Sequence, residues 1–320
     1  MTPTSEPTTS DPAAPSTARP AVAATAEPPA AGDGPGADAL RTVLDVLDLE
    51  RVDDATFVGR SLPKPGGRVF GGQVLAQCLL AAARTVEGDR LPHSVHGYFL
   101  RPGDVREPIT FSVERLRDGR SFSARRTHAL QKGEPILSMT TSFQVAQPGV
   151  EHTDAPPPSV PGPDRVPSAI STLAGVDHPV AQFWTQASAF DLRHVEASIY
   201  LEPGPMASGR QMVWMRARGP LPDDEVLHRA LLAYGCDQVM LEPVLRRHGL
   251  SWATPGLSMA SLDHAMWWHR PVRVDQWLLY VQTAPSAQGG RGLGAANVYR
   301  QDGTLVASIA QEGMVRVPED

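Results

Sequence analysis

Gly66-Gly67-Arg68-Val69-Phe70-Gly71-Gly72-Gln73 runs directly into Val74-Leu75-Ala76-Gln77-Cys78-Leu79-Leu80-Ala81-Ala82-Ala83, and the architecture follows from this junction. The spacing predicts a helix over Val74–Val86 that is apolar nearly all round, which places it inside the protein rather than on its surface. Four strand-like segments follow, Ser94–Leu100, Ile109–Leu116, Ser121–Leu130 and Ile136–Val145. Tight turns at Arg117-Asp118-Gly119-Arg120 and Gln131-Lys132-Gly133 separate them, which is antiparallel hairpin chemistry. A shorter amphipathic helix, Leu40–Leu49, precedes the glycine-rich turn. A buried helix followed by an antiparallel meander implies a sheet wrapped around that helix, an α+β arrangement.

The second part of the chain repeats this order. Met212–Ala217 reads as a strand, and Pro222-Asp223-Asp224-Glu225 opens a helix with acids where the helix dipole favours them. That helix is expected to run through Leu227, Leu231, Tyr234, Val239 and Leu241. Strands follow at Leu257–Leu262, Ala265–Trp268, Trp277–Thr283, Gly292–Tyr299 and Leu305–Ile309. Arg101-Pro102 and Arg270-Pro271 close an early strand in each half, with a glycine turn 31 residues on in one (Gly133) and 32 in the other (Gly303). The match points to an internal duplication. If the halves pair through their sheets, the chain is a pseudo-symmetric dimer of modules. The expected boundaries are a disordered Pro/Ala-rich tail over 1–37, modules over 38–147 and 168–320, and a Pro-rich linker over 148–167. The tail has no Leu, Ile, Phe, Tyr or Trp and eight prolines, so it cannot bury enough apolar surface to offset its ordering entropy.

Composition removes several function classes. The longest apolar stretches fall short of the roughly 18–20 residues of a membrane span, so no membrane association is expected. The net charge of −6 resides largely in residues 1–38, where Glu6, Asp11, Glu27, Asp33 and Asp38 face Arg19 alone. The nearly balanced remainder lacks the basic footprint that nucleic acid requires. Two cysteines, Cys78 and Cys236, exclude a disulfide scaffold, and no histidines stand at zinc-site spacing. No secretory signal pattern opens the sequence, and the cytoplasm is the expected compartment. The Gly66–Gly71 spacing lacks the Lys-Ser/Thr of a phosphate loop.

Several long segments resemble one family. They are Arg68-Val69-Phe70-Gly71-Gly72-Gln73, His93-Ser94-Val95-His96-Gly97-Tyr98-Phe99-Leu100-Arg101-Pro102-Gly103-Asp104, Leu116-Arg117-Asp118-Gly119-Arg120-Ser121-Phe122-Ser123, Asp263-His264-Ala265-Met266-Trp267-Trp268-His269-Arg270-Pro271 and Ala307-Ser308-Ile309-Ala310-Gln311-Glu312-Gly313. Together they are similar to the acyl-CoA thioesterase II (TesB-like) family, over essentially 40–318. The resemblance implies a double hotdog fold, two antiparallel sheets each wrapped around a central helix. It also implies hydrolysis of fatty acyl-CoA to fatty acid and CoA, with no metal, no cofactor and no covalent intermediate. The implied site residues are Asp237 on the second central helix, Ser261 on a following strand and Gln311 on the last strand. Ser261 stands where the bacterial pattern has Thr; it keeps the hydroxyl and gives up a methyl that restricts the rotamer. The substrate partner is acyl-CoA, and exposed sheet edges leave room for a homo-oligomer.

The residues themselves leave alternatives open. Asp237 interrupts an apolar helix beside Ala230 and Ala233, and a buried carboxylate is costly unless paired. It reads either as a catalytic base or as an Asp at a bend made by Gly235. Ser261 lies before Leu262-Asp263-His264, but no Gly-x-Ser-x-Gly elbow supports a serine nucleophile. Gln311 reads as an edge residue or as a group orienting water together with Ser261. Gly71-Gly72 could donate backbone N–H groups to an oxyanion or simply form a helix entry. His93 and His96 are expected to be packed or bonded rather than catalytic, and Trp267, Trp268 and Trp277 to be sheet core. Arg101, Arg120, Arg125, Arg126, Arg246 and Arg247 are candidates for the CoA phosphates. The rival functions are an acyl-CoA-binding protein of the same fold without catalysis and an enoyl-CoA hydratase-like enzyme.

Overall fold

A computed structural model describes Met1 and residues 35–64, 66–153, 156–204 and 208–317. The expected tail lies outside the described residues apart from Met1 and its last positions, which already belong to a helix. In chain order the elements of the first half are α1 (Pro35–Leu47), β1 (Glu50–Arg51), β2 (Thr56–Gly59), α2 (Gly71–Ala83), β3 (Leu91–Phe99), β4 (Ile109–Asp118), β5 (Phe122–Gln131) and β6 (Glu134–Gln144). Those of the second are α3 (Ala169–Thr172), α4 (Pro179–Gln182), β7 (Phe190–His194), β8 (Arg210–Ala217), α5 (Glu225–Cys236), α6 (Glu242–Arg247), β9 (Ser258–Ser261), β10 (Asp263–Trp268), β11 (Leu278–Gln288), β12 (Arg291–Arg300) and β13 (Leu305–Arg316).

The two half-sheets join into one antiparallel sheet with strand order β1-β2-β4-β5-β6-β3-β10-β13-β12-β11-β8-β7, and β9 pairs with β13. The join is β3 against β10, and its register carries the duplication. His96 pairs with Ala265, each standing six residues before the proline of its Arg-Pro pair. The pseudo-two-fold expected from sequence therefore runs through this pair. The sheet curls around α2 and α5, which pack against each other, and α2 is buried from Gly72 to Leu79. This is the double hotdog.

Sequence and structure differ at the sheet ends. The strands β1, β2 and β7 are segments of two to five residues there, too short to stand out, although Phe190-Asp191-Leu192-Arg193 alternates. The hairpin of β11 and β12 extends beyond Thr283, its exposed tip held by the main-chain ladder and by the Arg291–Glu312 ion pair. The chain between β6 and Pro163 forms no helix or strand among its described residues. It nevertheless docks on the second half, where Pro161 O accepts from Trp214 Nε1 at 2.9 Å and Val160 packs beside Trp214.

Candidate active site

The second central helix is capped by Asp224, whose carboxylate accepts from the Val226 and Leu227 N–H groups. It ends at Cys236, five residues before the expected Leu241. Pro243 has no N–H to offer the Val239 carbonyl and would crowd it in a continuous helix. That carbonyl instead accepts from Gln282 Nε2 at 2.9 Å, and α6 starts anew at Glu242. Asp237 is thus the C-cap of α5, half-buried, and its side chain leaves the helix toward the first half.

Three groups distant in sequence meet there. Gln311 Nε2 donates to Asp237 Oδ1 at 2.8 Å, and Ser261 Oγ donates to the same oxygen at 2.9 Å. Gln311 Nε2 also donates to Ser261 Oγ at 2.9 Å. The other oxygen, Oδ2, accepts the Gly72 N–H at 2.7 Å, so the carboxylate sits at the positive N-terminus of α2. Ser261 ends β9 and Gln311 lies within β13, two residues from Gly313, which pairs with Ser261. Asp237, Ser261 and Gln311 are brought together as one cluster.

The glycine-rich junction makes this approach possible. Gly66 and Gly67 take left-handed φ values of 86° and 70° and form the turn. Gly71 and Gly72 are needed for space: a Cβ on Gly71 would lie 2.8 Å from Asp237 Oδ2, and one on Gly72 would lie 2.4 Å from the Tyr234 carbonyl oxygen. The Gly72 N–H, considered from sequence as an oxyanion donor, is taken by Asp237.

A cavity of about 440 Å³ opens beside the cluster, with Asp237, Ser261 and Gly71 in its wall among Phe70, Val74, Phe99, Leu137, Leu241 and Trp252. Gln311 is fully buried and does not reach it. Lys64, Arg68 and Arg101 also line the cavity. Burial lowers the Lys64 pKa and the Asp237 charge draws it back up. Burial, reinforced by the Asp237 charge, pushes the Tyr234 phenol and the Cys236 thiol up, so both stay protonated. Among the described residues no group of His, Cys, Asp and Glu is gathered as a metal site.

The duplication built this cluster once. Across the β3–β10 pair, Thr140 and Ala310 occupy equivalent places, so Thr141 is the counterpart of Gln311 and Val95 that of His264. Thr141 is buried with no partner for its hydroxyl, and α2 bears no acid.

Family models match two regions, one described as acyl-CoA thioesterase over 186–314 and one as acyl-CoA thioesterase N-terminal domain over 60–144. The human protein named acyl-coenzyme A thioesterase 8 is 38% identical over 309 residues, covering 89% of this chain and 92% of that protein. Acyl-CoA thioesterase 2 of Haemophilus influenzae is 35% identical over 286 residues, 88% of this chain and 100% of its own. The chain belongs to the acyl-CoA thioesterase family. Among solved structures, the acyl-CoA thioesterase II TesB2 of Mycobacterium marinum superposes with a TM-score of 0.73 at 43% identity, covering 87% of this chain and 99% of that one. A hotdog-fold protein of Alicyclobacillus acidocaldarius, 24% identical with a TM-score of 0.72 over 87% and 99% of the two chains, shares the fold.

Other residues singled out in this thioesterase-family chain fall elsewhere. His93 bonds to Ser142 at 2.8 Å, and His96 stands edge-on to Trp267 on the outer face of the sheet. Trp267, expected in the core, is 38% exposed, because the inward positions of β10 are His264, Met266 and Trp268. Arg125 is buried on Thr85, Arg117 O and Asp118, and Arg246 on Gln211 and Ala197 O. Of the six candidate arginines, Arg101 is the one that lines the cavity. Sequence reasoning missed His264, weighed there as a base for Ser261. It is fully buried, and its Nδ1 lies 2.7 Å from Gln311 Oε1. Its inward parity in β10 is the signal that would have found it.

Proposed function

We propose that Asp237 is the general base of a hydrolytic acyl-CoA thioesterase, acting on a water molecule held at the cavity wall, with the cytoplasm as its compartment. The observation that carries this reading is the convergence of Gln311 and Ser261 on one oxygen of Asp237 beside an apolar cavity. With Oδ1 holding two donors and Oδ2 only the Gly72 N–H, Oδ2 keeps a lone pair for a water proton. Water oxygen bonds to the thioester carbonyl carbon as Asp237 takes the proton. The tetrahedral intermediate then collapses, the carbon–sulfur bond breaks, and the proton passes to the solvent or to the departing thiolate. A CoA thiolate resembles a cysteine thiolate, with a pKa of about 8.5, and needs little help to leave. A base and a fixed water therefore suffice.

Gln311 spends both amide hydrogens on Asp237 and Ser261 and lies out of reach of the cavity, so it serves by holding those two groups rather than by binding water. The Gly71 N–H, in the first turn of α2 and at the cavity wall, is the candidate oxyanion donor, a type of contact that contributes about 3–4 kcal/mol. The apolar lining suits a fatty acyl chain. Thiol release from palmitoyl-CoA by Asp237→Asn, compared with the parent, tests the base. A loss of about 10²–10⁴-fold in kcat is expected; an unchanged kcat overturns the reading in favour of another base, and no thiol release by the parent overturns it in favour of a binding protein.

A further inference from the structure

A carboxamide has two ends of nearly equal size, and only its hydrogen bonds choose between them. At Gln311 the choice matters. In the observed sense Nε2 donates to Asp237 Oδ1 and Ser261 Oγ. In the flipped sense Oε1 would face the carboxylate oxygen, oxygen against oxygen. The partner of Oε1 is His264 Nδ1, 2.7 Å away. The far ring nitrogen, Nε2, lies 3.7 Å from Cys236 Sγ, whose single hydrogen is donated to the Ala233 carbonyl oxygen at 3.3 Å. Because Gln311 Oε1 can only accept, the ring proton belongs on Nδ1. The groups charged or titratable around the imidazole are Cys236, Asp237 and Asp263, and burial favours its neutral form.

We propose that His264 is a positioning residue of the hydrolytic site: its Nδ1–H fixes the sense of the Gln311 carboxamide, and through it the aim of Asp237 and Ser261. The inference rests on the base role of Asp237. It makes the chain Cys236–His264–Gln311–Asp237 a strut in which every member but the last is hidden from substrate. A histidine that merely packs would cost stability wherever it is removed; one that works through Gln311 costs turnover only while Gln311 is present.

The test is a double-mutant cycle on palmitoyl-CoA hydrolysis with His264→Leu, Gln311→Ala and both together, with His264→Asn alongside. His264→Leu is expected to lower kcat about 10–100-fold, the range set by leaving a buried polar group without its partner, with KM within about twofold of the parent. His264→Asn, whose side-chain N–H can reach the Nδ1 place, should recover most of the loss. In the Gln311→Ala background His264→Leu should cost less than about twofold. Parental kcat in a folded His264→Leu, or an equal loss in both backgrounds, overturns the proposal. Long-range proton–nitrogen NMR of the histidine-labelled parent reads the tautomer directly, whether or not the variants fold. The Nδ1–H form is expected for His264, and the Nε2–H form overturns it. Failure of the base reading is separate and shows as full activity in Asp237→Asn.

Discussion

At Gly71 a single hydrogen stands where any other residue would place a methyl 2.8 Å from Asp237 Oδ2. Gly71→Ala would thus occupy the side of the carboxylate assigned to water. Activity on palmitoyl-CoA should fall at least about tenfold while the melting temperature moves by no more than a few degrees. A folded Gly71→Ala enzyme with parental kcat would move the water elsewhere. Ser261→Ala removes a hydrogen bond donated to the Asp237 carboxylate, a contribution of about 1.5–3 kcal/mol, and the acceptor of one Gln311 N–H. A fall in kcat of about 10–100-fold is expected, whereas Ser261→Thr keeps the hydroxyl and should stay near the parent. Residue by residue, the candidate cluster was legible through family resemblance and not through spacing. Asp237, Ser261 and Gln311 meet only after the strands have paired, and no local pattern encodes that. His264 was visible in principle, as a polar residue at an inward position of a strand, but its partner lies on β13 and the sequence does not name it.

Among the elements, the contact of α2 with α5 is the one on which the site depends. The Gly72 N–H caps Asp237 while its Cα passes the Tyr234 carbonyl so closely that a Cβ would stand 2.4 Å from that oxygen. Backbone cannot yield as a side-chain tip can. Gly72→Ala should lower stability by about 1–3 kcal/mol, in the manner of an overpacked core, and lower kcat as α2 backs away from the carboxylate. Urea denaturation together with steady-state rates reads both, and parental values in each would refute the packing account. The helices and the main strands were legible because a buried helix and a half-buried strand carry opposite periodicities. The end of α5 was not, because apolar residues resume after Asp237 and Gln238 and run to Leu241, and the helix is broken by Pro243 with the Gln282 contact from β11. Strand tips beyond Thr283 were hidden for a similar reason: their pairing is made by main chain, which composition does not report.

For the molecule as a whole, the buried His228, His264 and Glu242 set a common direction as pH falls. Burial holds His228 and His264 below the ordinary histidine value. Burial pushes Glu242 up, but the charge and hydrogen bond of His194 and the bonds from Trp252 and Gln211 outweigh it, leaving the carboxyl below its usual range. In each case the unfolded chain takes up its proton first. Their contribution to stability is complete above about pH 6.5 for the histidines and about pH 4.3 for the glutamate, and it is lost as pH falls toward the folded values. The melting temperature should be flat from about pH 8 to 7 and then decline. A melting temperature at about pH 5 equal to that at neutrality would contradict this. The two-fold repeat was the most legible feature at this scale, since the Arg-Pro pairs and glycine turns mark it in both halves. The first half's helix, with Gln73 and Gln77 and no acid, already told the halves apart in the sequence; what the repeat did not name is that Val95 and Thr141 stand where His264 and Gln311 would have to be. Stoichiometry follows. Calorimetric titration with a non-cleavable thioether mimic should saturate at one equivalent per polypeptide, because the duplicated ancestor kept two scaffolds and furnished a single workshop.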